Sequence, residues 1–277
     1  MRVIAIINQK GGVGKTTTAV NLSAALAAAG MRVGLIDIDP QAHASLHLGL
    51  SQPESGATVY DLLTGEIGFD NLWQSAEPNL QVARSDINLA AAEVELADVA
   101  GRELILRDKL GEMSSQFDYV LIDCPPSLGI LTINALSAAD DVLLPLQPHF
   151  LALHGLSQLL QTIALVSSRL NDRLRLAGVV FCLYESGTRL AAEVQHDVEA
   201  FFADARSHNP VWRDAHLFRT RIRRNIRLAE APSFEQSIFR YAPQSAGAED
   251  YRALTEELLA LYAGRHSLQS EPLRKAA

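Results

Sequence analysis

The sequence is poor in lysine and in cysteine. Only four lysines occur among 277 residues, at positions 10, 15, 109 and 275, and the other Lys/Arg positions are arginines. The two cysteines, Cys124 and Cys182, lie in apolar runs and form no Cys-x-x-Cys pair, which argues against a zinc site. We expect both to be buried free thiols.

Long apolar runs are also lacking. No stretch approaches the roughly 18–20 residues that a transmembrane helix needs, and the chain opens on a strand-like run rather than on a signal peptide. Hydrophobic residues make up 48% of the chain, and the mean hydropathy is +0.07. These features predict a soluble, cytoplasmic globular protein with one large core.

The net charge of −8 would by itself argue against binding to nucleic acid. The arginines, however, are concentrated in the C-terminal half, and five of them fall between positions 219 and 227. A local basic patch can lie on an acidic protein, so the net charge does not exclude a nucleic-acid partner.

A glycine-rich loop follows the first predicted strand. Residues 8–18 read Asn-Gln-Lys-Gly-Gly-Val-Gly-Lys-Thr-Thr-Thr, between an apolar β-branched run, Val3–Ile7, and an Ala/Leu-rich helical pattern, Ala19–Ala29. Strand, glycine loop and helix in this order are typical of a loop that binds the phosphates of a nucleoside triphosphate. Backbone N–H groups and the helix N-terminus supply the positive potential that holds the phosphates.

Individual residues of this loop have predicted roles. Lys15 reaches the β- and γ-phosphates, the Thr16 hydroxyl ligates Mg²⁺, and Thr17 contacts the α-phosphate. The usual pattern G-x-x-x-x-G-K-[ST] would place its first glycine at position 9, where this chain has Gln9, and a second lysine, Lys10, lies on the loop. The predicted phosphate-binding residues of the loop are Gly11, Gly12, Val13, Gly14, Lys15, Thr16 and Thr17.

Two further segments supply carboxylates. Asp37 and Asp39 follow one another at i and i+2 where the second predicted strand, Val33–Asp37, ends, so both face the same side. Asp39 would orient or activate the attacking water, with Asp37 supporting the Mg²⁺ shell or the loop; a plain Asp-Pro turn is the alternative. Asp123 ends the apolar run Tyr119–Asp123, as a Walker B acid does, and would hold Mg²⁺ through water.

Apolar runs alternate with helical patterns along the rest of the chain. This alternation predicts a P-loop NTPase fold of class α/β, a single doubly wound, mostly parallel sheet flanked by helices. The predicted strands are Val3–Ile7, Val33–Asp37, Leu80–Ala83, Tyr119–Asp123, Asp141–Leu146 and Leu176–Leu183. Further helices are predicted at 57–64, 88–110, 130–138, 151–170, 188–204 and 247–263, and a polar surface loop at 205–217. The domain would span residues 1–264, with a flexible tail at 265–277.

A basic segment runs from Arg219 to Ser233. Its arginines could contact DNA phosphates, or they could cover the surface in ion pairs with acidic neighbours. Charge alone favours the second possibility.

Taken together, these motifs resemble the ParA/Soj family of partition ATPases, deviant Walker A proteins of the group that includes MinD and nitrogenase iron protein. The resemblance covers nearly the whole chain. It is carried by residues 8–18, Asp37-Ile-Asp39-Pro-Gln, Leu-Ile-Asp123-Cys-Pro-Pro-Ser-Leu-Gly, Gly155-Leu-Ser, Asn225-Ile-Arg-Leu-Ala-Glu-Ala-Pro-Ser and Ser245-Ala-Gly-Ala.

The resemblance implies a homodimeric switch that hydrolyses ATP with Mg²⁺. Lys10 looks like the signature lysine, which reaches across the dimer to the phosphates bound by the other subunit and acts in catalysis with Lys15 and Asp39. Asn225, close to Arg223, looks like the residue that contacts adenine. Family members bind DNA without sequence preference, which here implicates Arg189, Arg223, Arg224 and Arg227.

A ParB-like partner, or another cargo adaptor, would stimulate hydrolysis and release the DNA. Such a switch would segregate or position a chromosome or plasmid on the nucleoid. The alternatives are an orphan ParA-like ATPase that positions a protein cargo, and a MinD-like membrane-associated ATPase. The tail after Tyr262 has few large apolar residues and carries Pro272, so no membrane attachment is expected. A small-molecule kinase would share the fold, but Lys10 argues against it.

Two positions depart from the family pattern. Arg223 stands where these proteins carry the proline of Ile-Pro-Arg-Asn, which helps to seat the base. Gly187 stands where they carry an arginine that contacts DNA, so Arg189 or Arg223 would have to compensate.

Overall fold

The computed structural model describes residues 1–50, 56–65, 67–113, 116–149, 152–205 and 209–270. Its eight strands form one sheet. They are β1 (Arg2–Ile6), β2 (Val33–Asp37), β3 (Trp73–Glu77), β4 (Leu80–Ala83), β5 (Tyr119–Asp123), β6 (Asp141–Leu146), β7 (Arg175–Tyr184) and β8 (His216–Arg223). Their order is β3-β4-β2-β5-β1-β6-β7-β8, and every neighbouring pair is parallel except β3 and β4.

Helices follow most of the strands and cover both faces of the sheet. They are α1 (Lys15–Ala28), α2 (His43–His47), α3 (Val59–Thr64), α4 (Leu89–Glu95), α5 (Ile105–Gly111), α6 (Ile130–Ala138), α7 (Ala152–Arg169), α8 (Arg189–Ala205), α9 (Ile226–Glu230), α10 (Ile238–Tyr241) and α11 (Ala246–Ser270).

The apolar core is divided by the sheet into two layers. On one side α1 and α11 pack together and contribute Val20, Leu26, Tyr251 and Leu258. The other layer is formed mainly by helices α3 to α8. Because strands such as β1, β2 and β5 are buried on both faces, they read in the sequence as continuous apolar runs. The predicted α/β fold is confirmed.

The six predicted strands are present within one residue at each end, but the sequence pattern missed two strands at the sheet edges. β3, Trp73–Glu77, is partly exposed along its length, so it has no apolar run. β8 carries an arginine at every second position, Arg219, Arg221 and Arg223. Charged side chains suit an edge strand, since they discourage pairing with another chain.

The predicted helix 88–110 is wrong as one element. The structure has α4 and α5, separated by a 3-10 turn, Arg102–Leu104, that begins after Gly101. Gly101 has a φ of +75°, in the left-handed region, which a continuous right-handed helix does not allow.

The polar surface loop predicted at 205–217 is also shorter and less polar than expected. α8 continues through Ala205 and β8 begins at His216, while residues 206–208 lie outside the described part. Val211 and Ala215 are buried, at 5% and 4% exposure, so this connection packs into the core.

The helix α11 passes the predicted start of the flexible tail by several residues. Arg265 explains this, because its guanidinium lies 2.8 Å from Oδ1 of Asp141 while Arg2 lies 2.6 Å from Oδ2. Asp141 is fully buried, and the ring of Tyr262 lies under the guanidinium of Arg2, 3.8 Å from its centroid. Two arginines thus hold the end of α11 against β1 and β6. Residues 271–277 lie outside the described part.

Two further expectations concern the cysteines and membrane-spanning helices. Cys124 and Cys182 are free and buried, as predicted. Among the described residues, no helix combines the length and the apolar character that crossing a membrane requires.

We predict that Asp141→Ala lowers the free energy of unfolding by about 3–5 kcal/mol, because it leaves two arginines without their buried partner. Urea denaturation followed by circular dichroism measures this. As a matched control, Arg107→Gln removes the more exposed pair with Asp108 and should change stability by less than about 1 kcal/mol. Equal effects of the two variants would contradict a structural role for the Asp141 pairs.

Candidate nucleotide-binding site

The glycine loop leaves β1 at the carboxyl edge of the sheet and enters α1 at Lys15. Gly12 and Gly14 have φ values of +73° and +93°, a conformation that glycine adopts without strain. A Cβ added at Gly14 would also lie 3.4 Å from the Cβ of Cys182. No described side chain caps α1, so its first N–H groups remain available to an anion.

Asn8 fixes the start of this loop, a role that the sequence motifs did not predict. Its Nδ2 donates to the carbonyl of Pro145 in β6 (2.7 Å), and its Oδ1 accepts from the backbone N–H of Lys10 (3.0 Å). The available signal was an amide side chain placed directly after an apolar strand. The loop is thus attached to the strand next to the one that it leaves.

The two lysines of the loop lie in different environments. Lys15 is buried, at 7% exposure, and its ammonium group donates to the carbonyl of Lys10 at 3.2 Å. Burial lowers the pKa of Lys15, while the carboxylates of Asp123 and Asp39 raise it. The side chain of Lys10, in contrast, is exposed. Lys15 is therefore placed beside the acids of the site, and Lys10 at its rim.

Asp123 ends β5 directly beside Asp37 of β2. It is fully buried, and within the described part of the chain neither of its carboxylate oxygens has a hydrogen-bond partner. Burial raises the pKa of Asp123 well above its usual range and the charge of Asp37 raises it further, while Thr16 and Lys15 lower it. A buried acid without a partner suits a position that binds a cation.

The oxygen atoms of Asp123 and Thr16 suit a Mg²⁺ ion that binds together with a nucleotide. Among the described residues, no group of three or more His, Cys, Asp or Glu side chains could hold a metal ion by itself. Mg²⁺ commonly takes one or two protein ligands and completes its shell with waters and substrate phosphates. Asp123 and the neighbouring Thr16 hydroxyl offer such a partial shell.

The carboxylate of Asp37 accepts hydrogen bonds from the segment that follows β2. Its Oδ1 accepts from the N–H of Asp39 (3.2 Å), and its Oδ2 accepts from the N–H and the hydroxyl of Ser45 (2.8 and 2.7 Å). Burial raises the pKa of Asp37 to about 6, although these hydrogen bonds lower it. Of the two predicted roles of Asp37, this geometry favours holding the loop, and its part in the Mg²⁺ shell stays a prediction.

Asp39 lies on this anchored loop. It is 7% exposed, and its charge is close enough to raise the pKa of Lys15. Its Oδ1 accepts from the N–H of Gln41 (2.9 Å). Beyond it, the Ser45 hydroxyl also accepts from the N–H of Ser85, which follows β4 (3.0 Å). The acid predicted to orient water therefore lies next to Lys15, the lysine predicted to bind the phosphates.

A pocket of about 470 Å³ opens beside the glycine loop, and Gly14, Thr17 and Asn225 line it. Asn225 is the N-cap of α9, where its Oδ1 accepts from the N–H of Arg227 at 2.8 Å. Its Nδ2 amide is thus the part left to face a ligand. The position of Asn225 agrees with its predicted contact to adenine.

Two further residues of this pocket were missed by the sequence pattern. Leu183 has a φ of +51°, at a shift of register between β7 and β8. Tyr251, on α11, is fully buried, and its hydroxyl is hydrogen-bonded to that of Thr18 at 3.1 Å. Neither lies in a recognisable motif, so the sequence carried no signal for them.

Three of the four arginines predicted to bind DNA are engaged in ion pairs. The pairs are Arg223 with Asp250 and Glu249 (2.6 and 2.9 Å), Arg224 with Glu185 (2.6 Å) and Arg227 with Glu230 (2.8 Å). Arg189, the first residue of α8, is exposed. This is the ion-paired surface that charge alone favoured. Because exposed ion pairs are weak, phosphates can compete with the carboxylates of the last two pairs.

At Gly187, where the resemblance predicts an arginine, the backbone has a left-handed conformation. Its φ is +83°, so an arginine at this position would be strained. The loop that contains it lies beside Arg224, whose N–H donates to the carbonyl of Tyr184 (3.2 Å). Arg223 and Arg224 both line the pocket, and Arg189 begins the helix that follows the loop of Gly187.

Comparison with known proteins shows the family of the chain. The family model of the AAA domain matches residues 1–176. The chromosome-partitioning ATPase Soj of Treponema pallidum is 44% identical over 260 residues, which cover 94% of this chain and 97% of that protein. The chromosome partitioning protein ParA of Caulobacter vibrioides is 44% identical over 262 residues, 94% of each chain.

A solved structure is similar as well. The cobyrinic acid a,c-diamide synthase of Mycobacterium smegmatis, with bound ADP and magnesium, has a TM-score of 0.79 and 35% identity, and the match covers 95% of this chain and 96% of that chain. The resemblance seen in the motifs is confirmed: this chain belongs to the Soj/ParA family of chromosome-partitioning ATPases.

Proposed function

We propose that this protein is an ATP-dependent dimeric switch that segregates or positions a chromosome or plasmid. The chain is an ATPase of the Soj/ParA family, and it uses ATP and Mg²⁺. In the proposal, ATP joins two chains, the dimer binds DNA without sequence preference, and hydrolysis separates the chains again. A ParB-like partner or another cargo adaptor stimulates the hydrolysis, and the protein works in the cytoplasm, on the nucleoid.

The observation that supports dimerisation most directly is the contrast between the two loop lysines. Lys15 is buried beside Asp123, whereas Lys10 is exposed on the same loop. A second lysine placed outward at the rim of a phosphate site suits a contact with phosphates held by a second chain. The Lys10 carbonyl accepts from Lys15, so phosphate binding by Lys15 and the conformation at Lys10 are coupled.

We expect Lys10→Ala to abolish ATP-dependent dimerisation while ATP binding by the single chain changes less than about threefold. Light scattering after size-exclusion chromatography in Mg·ATP measures the mass, and calorimetry measures the affinity. Lys109→Ala, which removes a lysine from α5, is the matched control and should dimerise normally. A Lys10→Ala protein that dimerises as well as the wild type would contradict the role across the dimer.

Hydrolysis is assigned to groups that surround the phosphates. Lys15 neutralises the phosphate charge, and Asp123 with Thr16 would hold the Mg²⁺ that supplies further neutralisation. Asp39 lies on the loop anchored by Asp37 and orients the attacking water. In this proposal the water-orienting acid lies on the loop after β2, and the cation-binding acid ends β5.

We expect Asp39→Ala to lower kcat for ATP hydrolysis by about 100-fold, the lower range for loss of a general base. Its ATP affinity should stay within about threefold of the wild type, because Asp39 does not hold the phosphates. Phosphate release and calorimetry measure the two quantities. Glu112→Gln, an exposed acid beyond α5, serves as the control for lost negative charge. An unchanged kcat would reject the assignment of Asp39.

DNA binding is assigned to Arg189, Arg224 and Arg227, with Arg223 treated separately below. The pairs of Arg224 and Arg227 are exposed, so DNA phosphates can replace their carboxylates. Individual contacts would be weak and sensitive to salt, and the dimer would double their number.

We expect Glu185→Gln to tighten non-specific DNA binding about two- to fivefold, because it frees Arg224 for phosphate. Fluorescence anisotropy with a duplex in saturating ATP, between about 50 and 200 mM salt, measures the affinity. Arg224→Ala should weaken binding and reduce the salt slope. Glu112→Gln makes the same change of net charge away from this region. If both glutamate variants tighten binding equally, the effect is one of net charge, and the assigned face is wrong.

The ion pairs also favour one alternative, an orphan ParA-like ATPase that positions a protein cargo. Such a protein would keep dimerisation and hydrolysis but would not need free arginines. Normal ATP-dependent dimerisation without DNA binding at low salt would select this alternative.

A further inference from the structure

Arg223 is attached to α11 by both its side chain and its backbone. Nε donates to the two carboxylate oxygens of Asp250 (2.9 and 3.1 Å), and the backbone N–H donates to Oδ2 (2.9 Å). A further guanidinium nitrogen lies 2.6 Å from Asp250 Oδ1 and 2.9 Å from Glu249 Oε2. These carboxylates raise the pKa of Arg223. The end of β8 is thus fixed to the beginning of α11.

This attachment is stronger than the neighbouring ion pairs. Asp250 is only 7% exposed, so breaking the ion pair would leave a buried acid with only the backbone N–H of Arg223 as its donor. Arg224 and Glu185 are both exposed by more than half. Of these two arginines, Arg223 is therefore the less free to turn towards a phosphate.

The next residue of α11 connects to the phosphate-binding helix. The Tyr251 hydroxyl is hydrogen-bonded to Thr18 at 3.1 Å, and Thr18 in turn contacts the thiol of Cys182 at 3.6 Å. Thr18 lies one turn after Lys15 on α1. Consecutive residues, Asp250 and Tyr251, therefore link the end of β8 to the helix that carries the glycine loop.

α9 is held against the same part of α11. A Cβ added at Gly247 would lie 2.6 Å from Cγ of Leu228, so the two helices are in close contact there. Asn225, at the start of α9, lies two residues after Arg223 and lines the pocket beside the glycine loop. The distance from Asn225 to the phosphate site is thus set through α11.

We propose that Arg223 is a positioning residue for the nucleotide base, which acts through Asp250 to hold Asn225 opposite the glycine loop. Although Arg223 lines the pocket, its guanidinium is engaged by Asp250 and Glu249, so we assign it no direct role in holding the base or DNA. The inference rests on the proposed function, because it takes the pocket lined by Asn225 as the site of the adenine base of ATP.

The test compares two ligands of the full-length protein by calorimetry, Mg·ATP and Mg·tripolyphosphate, which has no base. Arg223→Gln should bind ATP about tenfold more weakly, as for the loss of one well-placed hydrogen bond, and should bind tripolyphosphate as the wild type does. Asp250→Asn should have the same effect, and the double variant no larger one, because the two residues act as a unit. Arg223→Lys keeps the positive charge but not the planar guanidinium with its several N–H donors, so its ATP affinity should lie between those of the wild type and Arg223→Gln.

Arg240→Gln is the control, since it removes an exposed arginine of α10. At saturating ATP, Arg223→Gln should bind DNA as Arg240→Gln does. The proposal is overturned if Arg223→Gln keeps its ATP affinity, if it loses tripolyphosphate binding equally, or if its DNA binding falls below that of the control. These ligand affinities require neither dimerisation nor DNA. Asn225→Ala tests the pocket separately: unchanged ATP binding there would remove the adenine assignment, and this inference with it.

Discussion

Two buried carboxylates side by side, Asp37 and Asp123, impose the constraint on which the rest of the site depends. Two like charges cannot share a dry interior without compensation. Asp37 is compensated by the loop after β2, whose N–H and hydroxyl groups donate hydrogen bonds to its carboxylate. These bonds fix the position of Ser45, and the Ser45 hydroxyl in turn holds the N–H of Ser85. Asp123 has no such donors within the described residues, and the nearby charge of Lys15 only partly offsets its burial. The sheet register places the two acids side by side, and the loop after β2 supplies hydrogen bonds to Asp37.

The sequence predicted the features that have local signals. Six strands, the glycine loop and the acids at two strand ends follow from apolar runs and from residues that are close together in the chain. β3 and β8 were missed because edge strands need no apolar run, and the break at Gly101 was missed because the surrounding residues all favour helix. The contact of Asn8 with Pro145 could not be predicted from its position after an apolar strand, and Leu183 and Tyr251 lie in no recognisable motif.

The arginines show why charge patterns are harder to interpret than apolar ones. Arg223 meets an acid 27 residues away and Arg224 one that is 39 residues away, so their partners could not be found by counting along the chain. The basic segment suggested a surface for nucleic acid. In the folded chain, Arg223 is firmly attached to Asp250, whereas Arg224 and Arg227 form exposed ion pairs. Arginines in one segment can thus hold a pocket together or remain available to an anionic partner. The burial of the paired carboxylate distinguishes the two cases: Asp250, the partner of Arg223, is buried, whereas the glutamates paired with Arg224 and Arg227 are more exposed.

The helix α11 spans 25 residues, or about 37 Å, from the pocket beside the glycine loop to the opposite edge of the sheet. Near its start Asp250 holds the end of β8, and near its end Arg265 neutralises the buried Asp141. A boundary drawn at Gly264, where the sequence loses its apolar pattern, would separate Arg265 from the fold. Shortening the chain there would therefore remove one of the two arginines that pair with the buried Asp141.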